Sequence, residues 1–71
     1  MNGTQKIYDR ISTQKTEYIG IAASGVDTDA EQWQIVKITY DDDGKPLTEK
    51  YAGGSADYKF AWSDRTTLEY S

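Results

Sequence analysis

Large apolar side chains occur in short runs, and polar, turn-forming residues separate the runs. Tyr18-Ile19-Gly20-Ile21-Ala22 is the first, Trp33-Gln34-Ile35-Val36-Lys37-Ile38 the second, Phe60-Ala61-Trp62-Ser63-Asp64-Arg65 the third and Leu68-Glu69-Tyr70 the last. Runs this short, bounded by Gly, Asp and Ser, are the pattern of strands. The sequence predicts a mainly β chain: a small single-domain antiparallel sheet, sandwich or partly open barrel.

Residues 18–23 read as a buried strand, and Gly20 inside it marks a bulge or a close backbone approach. Residues 24–31 form a loop carrying Asp27, Asp29 and Glu31, with one helical turn capped by Thr28 or Asp29. The strongest strand is 32–40. A period of two puts Val36, Ile38 and Tyr40 on one face and Trp33 and Ile35, with Lys37 and Thr39, on the other. Apolar groups on both faces make this a central strand, or one that packs on a partner. Asp41-Asp42-Asp43-Gly44-Lys45 is a hairpin turn, with Gly44 free to take a positive φ. The return strand, 46–51, opens on Pro46, which cannot donate to a ladder and so belongs at the first position of an edge strand. Residues 52–56 are a loop, 57–62 an apolar patch, Ser63 or Asp64 a turn cap, and 66–70 a last strand.

The stretch 1–17 holds Ile7, Tyr8 and Ile11 as its large apolar side chains apart from Met1. Ile7 and Ile11 have the spacing of one helical turn, but Ser12, Thr13 and Thr16 oppose a helix. This stretch is expected to be a polar N-terminal arm, mobile or a short strand, that orders on a neighbour. The domain proper is then 18–71, with no internal repeat and no linker dividing it.

Composition narrows the function. At 71 residues there is room for one domain, which buries only about 60% of the surface its unfolded chain exposes. Neither Cys nor His is present, so disulfides, the usual zinc ligands and the commonest catalytic base and nucleophile are missing. Small scaffolds without such staples gain stability by association, and a chain with six Tyr and two Trp has the side chains that interfaces favour. A net charge of −4 spread along the chain argues against binding nucleic acid or anionic membrane, which needs clustered Lys and Arg. With no apolar run near the roughly 20 residues of a spanning helix, and no signal peptide in Met1-Asn2-Gly3-Thr4, the protein is expected to be soluble and made in the cytosol.

Each candidate chemistry has a plainer rival. Calcium loops alternate their ligands and close on a later Glu, whereas Asp41, Asp42 and Asp43 are consecutive, as in a turn. Asp27, Asp29 and Glu31 alternate, but a carboxylate pair at work needs a deep cleft. Trp33 and Trp62 with Tyr51, Tyr58 and Phe60 would serve as a sugar platform or as core, and core is the reading adopted for both Trp. Arg65 is assigned a structural role, stacked on Trp62 or ion-paired. No catalytic, cofactor or metal residue is assigned. The candidate interface is Trp33, Ile35, Val36, Ile38, Tyr40, Tyr58 and Phe60, and the structural residues are Tyr18, Gly20, Trp62, Arg65 and Tyr70.

Tyr18, Ile19 and Gly20, then Trp33 and Ile35, then Trp62, Asp64, Arg65, Leu68 and Tyr70 compose a series Tyr-Ile-Gly, Trp-x-Ile, Trp-x-x-Arg-x-x-Leu-x-Tyr. In this series residues 18–70 resemble small virion-associated structural proteins of tailed bacteriophages. Where such proteins often carry a Pro-Gly turn after the first segment, this chain has Ala22-Ala23-Ser24-Gly25. The resemblance implies a shared fold rather than an active site. It implies a structural or adaptor protein of the virion, made in the host cytoplasm, that assembles with itself or with a larger capsid, neck, tail or fibre protein. It implies no enzyme and no cofactor. The rival readings are a receptor- or glycan-binding module with exposed aromatics and an acidic inhibitor of a host protein.

Overall fold

The computed structural model describes residues 3–11 and 15–71. Four strands, β1 (Thr4–Ile11), β2 (Thr16–Ala23), β3 (Gln34–Tyr40) and β4 (Pro46–Tyr51), are followed by a short 3₁₀ turn at Trp62–Asp64. The strands lie in chain order in one antiparallel sheet, β1-β2-β3-β4, a mainly β architecture. An antiparallel meander needs only short connections between neighbours. The β3–β4 connection is the expected hairpin: Gly44 has φ +82°, and the Asp41 carboxylate accepts the backbone N–H groups of Asp43 and Lys45, both at 2.9 Å. Pro46 opens the edge strand β4. A bulge between Thr39 and Tyr40 leaves Leu47 outside the register.

The stretch expected as an arm supplies β1. Residues Thr4–Ile11 pair along their whole length with β2, from Thr4↔Ala23 to Ile11↔Thr16, so the domain begins well before Tyr18. Ile7, Asp9 and Ile11 turn inward while Lys6, Tyr8 and Arg10 turn to solvent, an alternation too poor in apolar residues to stand out alone. The other parts of that stretch, residues 1–2 and 12–14, lie outside the described residues.

The core sits on one face of the sheet. Tyr18 and Ala22 of β2, Ile35 of β3 and Trp33 beside it are buried there, with Ile7 and Ile11 of β1 packed alongside. The chain after β4 folds back across this face. Trp33 and Phe60 exchange backbone hydrogen bonds of 2.8 and 3.1 Å, and the 3₁₀ turn lays Trp62 on Gly20. Gly20 thus serves a close approach, with no bulge in its register to either neighbouring strand.

The last strand expected at 66–70 does not form. That segment is a succession of turns with a single bridge, Ala52↔Tyr70. The segment packs Leu68 and Tyr70 on the core and reaches the edge only at the end of β4, where the Gly53 N–H donates to the Glu69 carbonyl at 2.7 Å and the Ser71 N–H to the Tyr51 carbonyl at 3.2 Å. Nor does Ser63 or Asp64 cap the 3₁₀ turn, whose cap position is Ala61 with no side-chain bond. In the 24–31 loop, the Ala30 N–H donates to the Asp27 carbonyl and closes a turn.

Candidate functional site

The two faces of the sheet differ in kind. On the covered face Trp33 and Trp62 pack with ring centroids 6.1 Å apart, and Trp33 and Ile35 are 0% exposed. The Trp33 indole N–H donates to the Asp27 carbonyl at 2.8 Å, which satisfies its polar atom in the core. Tyr18 and Tyr70 pack at 5.8 Å, and the Tyr70 hydroxyl donates to the Arg65 carbonyl at 2.7 Å. Burial, and next the neighbouring Tyr18, push the Tyr70 phenol well above its ordinary pKa.

Arg65 ties the returning segment to the far edge of the sheet. Its guanidinium lies 4.7 Å from the Trp62 ring centroid and pairs with Asp9 of β1 through Nε at 2.9 Å and Nη2 at 2.8 Å. Arg65 therefore stacks on Trp62 as the sequence suggested, and its acidic partner is Asp9 rather than the adjacent Asp64.

The opposite face has no strand or helix of the described chain across it. Its side chains form three cross-strand rows. One runs Tyr8, Ile19, Val36, Tyr51; the next Arg10, Glu17, Ile38, Glu49; the third Lys6, Ile21, Gln34. Ile19, Ile21, Ile38 and Tyr51 are half-buried, Tyr8 is 60% exposed, and Val36, at the centre of the stripe, is buried at 6% beneath its neighbours. The rows give a stripe of isoleucine, valine and tyrosine down the middle of the sheet, with cations on β1 and an anion on β4. Tyr40 extends the stripe: its hydroxyl donates to the Glu17 carboxylate at 2.6 Å, and Arg10 lies 4.8 Å from its ring centroid. The bond to Glu17, with burial and the charge of Glu17 behind it, raises the Tyr40 pKa.

The expected interface residues thus divide. Val36, Ile38 and Tyr40 lie together on the open face. Trp33 and Ile35 belong to the closed core, and Phe60 is half-buried against it. Trp33 is core, as read from the sequence for both Trp and against its place among the candidate interface residues, and Ile35 and Phe60 are corrected from interface to core, because the path of the chain after β4 covers them. Tyr58, 55% exposed, stands apart beside an open concavity of about 390 Å³ near Thr4, Ala23 and Val26. Sequence reasoning missed Tyr8, Ile19 and Ile21, and weighed Tyr51 only as part of a sugar platform or core. The alternation of Lys6, Tyr8 and Arg10 against Ile7, Asp9 and Ile11 was the signal that pointed to the first.

Asp41 and Asp42 of the 41–45 turn are held by that turn and by Lys15. Asp41 serves its own hairpin, Asp42 pairs with Lys15, and among the described residues no three acids gather as a metal site needs. Among the described residues no helix is long and apolar enough to cross a membrane. Compared with known protein families, with curated proteins and with solved structures, the chain matches none.

Proposed function

We propose that this chain is a non-enzymatic assembly module that docks through the open face of its sheet, and that it serves as a structural or adaptor protein of a bacteriophage particle. The observation that carries the docking reading is the stripe of Tyr8, Ile19, Ile21, Ile38 and Tyr51, centred on the buried Val36, on a face that no strand or helix of the described residues covers. A sheet buries an apolar face against another layer, and a contiguous apolar patch with a charged rim marks an interaction surface. The phage assignment rests on the Tyr-Ile-Gly, Trp-x-Ile and Trp-x-x-Arg-x-x-Leu-x-Tyr series, whose members Tyr18, Gly20, Trp33, Trp62, Arg65 and Tyr70 build the covered face.

The test is the mass of the purified protein in solution, alone and with an extract of virion proteins, for the wild type and for Ile19→Lys. Association that Ile19→Lys abolishes supports docking through this face. Association that persists in that variant refutes it, and association confined to proteins from outside the virion refutes the phage assignment.

The second reading, a receptor- or glycan-binding module, draws on exposed Tyr58 beside its concavity. Burial of both tryptophans leaves it fewer aromatic platforms than the sequence offered. Titration with oligosaccharides, followed by tyrosine fluorescence in wild type and Tyr58→Ala, separates it from docking.

A further inference from the structure

We propose that the occupant of the open face is a second copy of this chain, docked face to face about a two-fold axis that runs along the strands, so that Arg10 of each copy meets Glu49 of the other. The proposal rests on the docking reading above and adds the partner and its geometry. Two sheets stacked in this way lie about 10 Å apart with strand directions within about 30°. A two-fold axis along the strands keeps each cross-strand row over itself and exchanges β1 with β4 and β2 with β3. In the row Tyr8, Ile19, Val36, Tyr51, Ile19 then meets the partner's Val36 and Tyr8 the partner's Tyr51. In the row Arg10, Glu17, Ile38, Glu49, Arg10 meets the partner's Glu49 at both rims.

The charges select this axis over the alternative. A two-fold axis across the strands would lay β1 on β1 with the rows reversed, setting Arg10 over the partner's Lys6 and Ile38 over the partner's Gln34. The like charges of Arg10 and the partner's Lys6 oppose that arrangement. Within one copy Arg10 and Glu49 stand at opposite ends of their row, about 14 Å apart at three strand spacings, too far to pair. Among the described residues neither Lys6 nor Glu49 has an ion-pair partner. Glu17, which the docking covers, already accepts the Tyr40 hydroxyl and adjoins Arg10 across β1 and β2. Four strands about 4.8 Å apart and seven residues at about 3.3 Å present a face of roughly 450 Å². Two such faces give about 900 Å² before side-chain relief is counted, below the area of stable interfaces and in the range of weak, transient ones. The dimer is therefore reversible, and its rim charges matter to it.

The experiment is sedimentation equilibrium of the full chain across micromolar concentrations, with far-UV circular dichroism to verify folding. It compares wild type, Arg10→Glu, Glu49→Arg, the double variant and an equimolar mixture of the two single variants. Wild type is expected to dimerise. Each single variant should raise the dissociation constant by about tenfold or more, since attraction becomes repulsion at both rims. The double variant and the mixture should recover wild-type affinity, because both restore opposite charges across the copy boundary. A monomeric wild type, or a dimer indifferent to the swaps, overturns the proposal. If wild type is monomeric yet joins a virion protein in a manner lost in Ile19→Lys, the second copy is refuted while docking through this face stands. If the charge-swap pattern appears but no virion protein joins, the dimer stands and the phage assignment falls.

Discussion

Gly20 lies directly beneath the indole of Trp62. A Cβ at that position would come 2.8 Å from Trp62 Cζ3 and 3.1 Å from Trp33 Cε3, closer than packed atoms tolerate. The two rings close the core from opposite elements, so neither can move without disturbing the other. Gly20→Ala should cost about 2 kcal/mol by overpacking. In a domain of this size that lowers the melting temperature by about 10 °C, read by circular dichroism. Gly25→Ala is the contrasting control, because no atom lies within 4 Å of its added Cβ and its cost comes from φ +89° alone.

The Trp62–Arg65–Asp9 stack makes the returning segment sensitive to the shape of the cation as well as to its charge. Arg65→Lys keeps the charge and loses the planar fork and the stacking surface. It should destabilise by about 1 kcal/mol, with faster amide exchange concentrated after residue 60. Trp62→Ala removes the support itself and should cost about 3–5 kcal/mol, much of the stability such a domain has. In Trp62→Ala the further effect of Arg65→Lys should shrink, and a double-mutant cycle by urea denaturation measures that coupling.

Tyr40 and Tyr70 hold their protons beyond the ordinary tyrosine value of 10.0. Unfolded, both phenols ionise near that value, so at higher pH the folded chain carries more protons than the unfolded one. Stability therefore falls as pH rises. The contribution is complete below about pH 10 and is lost as pH climbs through the folded values. The melting temperature should be level from about pH 7 to 9 and drop above about pH 10. Tyr70→Phe keeps the ring against Tyr18 and removes the titrating hydroxyl, so its alkaline fall should be shallower, from a lower plateau because the bond to the Arg65 carbonyl is gone.

The division of β3, with Val36, Ile38 and Tyr40 on one side and Trp33 and Ile35 on the other, was legible because alternation in a strand is a local property. So were the turn at residues 41–45 and the edge position of Pro46, each set by the chemistry of one or two residues. β1 was legible only as one of two options, a mobile arm or a short strand: its identity comes from pairing with β2, and Thr4, Lys6 and Arg10 give no apolar signal. The ending was misread for a related reason. Thr66, Thr67, Leu68 and Tyr70 suit a strand, yet their path over the sheet is set by the need to cover Trp33 and Ile35. That path also decided which candidate interface residues became core, so half of the site was visible as a pattern and its other half only as a topology.

The Asp41 carboxylate is occupied by two backbone N–H groups of its own turn, and Asp42 by Lys15. Calcium at millimolar concentration should leave the melting temperature unchanged, since these acids do not converge on one ion. Asp41→Ala should lower stability by about 1 kcal/mol, the usual cost of removing an oxygen that satisfies backbone donors at a turn or cap. A melting temperature that rises with calcium and falls back with EDTA would contradict this assignment.

The sharpest test of the two faces sets Ile19→Lys beside Ile35→Lys. Both isoleucines sit in inner strands of the same sheet, and both substitutions add the same charge. Ile35 is 0% exposed and lies among Tyr18, Trp33 and Trp62, where an ammonium group has no partner and no route to water. Ile35→Lys should therefore abolish folding, since an unpaired buried charge costs several kcal/mol in a domain with little to spare. Ile19 is half-buried on the face that no strand or helix of the described residues covers, and a lysine there keeps its stem on the sheet and lifts its charge to solvent. Ile19→Lys should retain the wild-type circular dichroism spectrum, lose no more than about 1 kcal/mol, and fail to associate. If Ile19→Lys unfolds the chain as Ile35→Lys does, that face is part of a closed core; if it folds and still associates, the contact lies elsewhere.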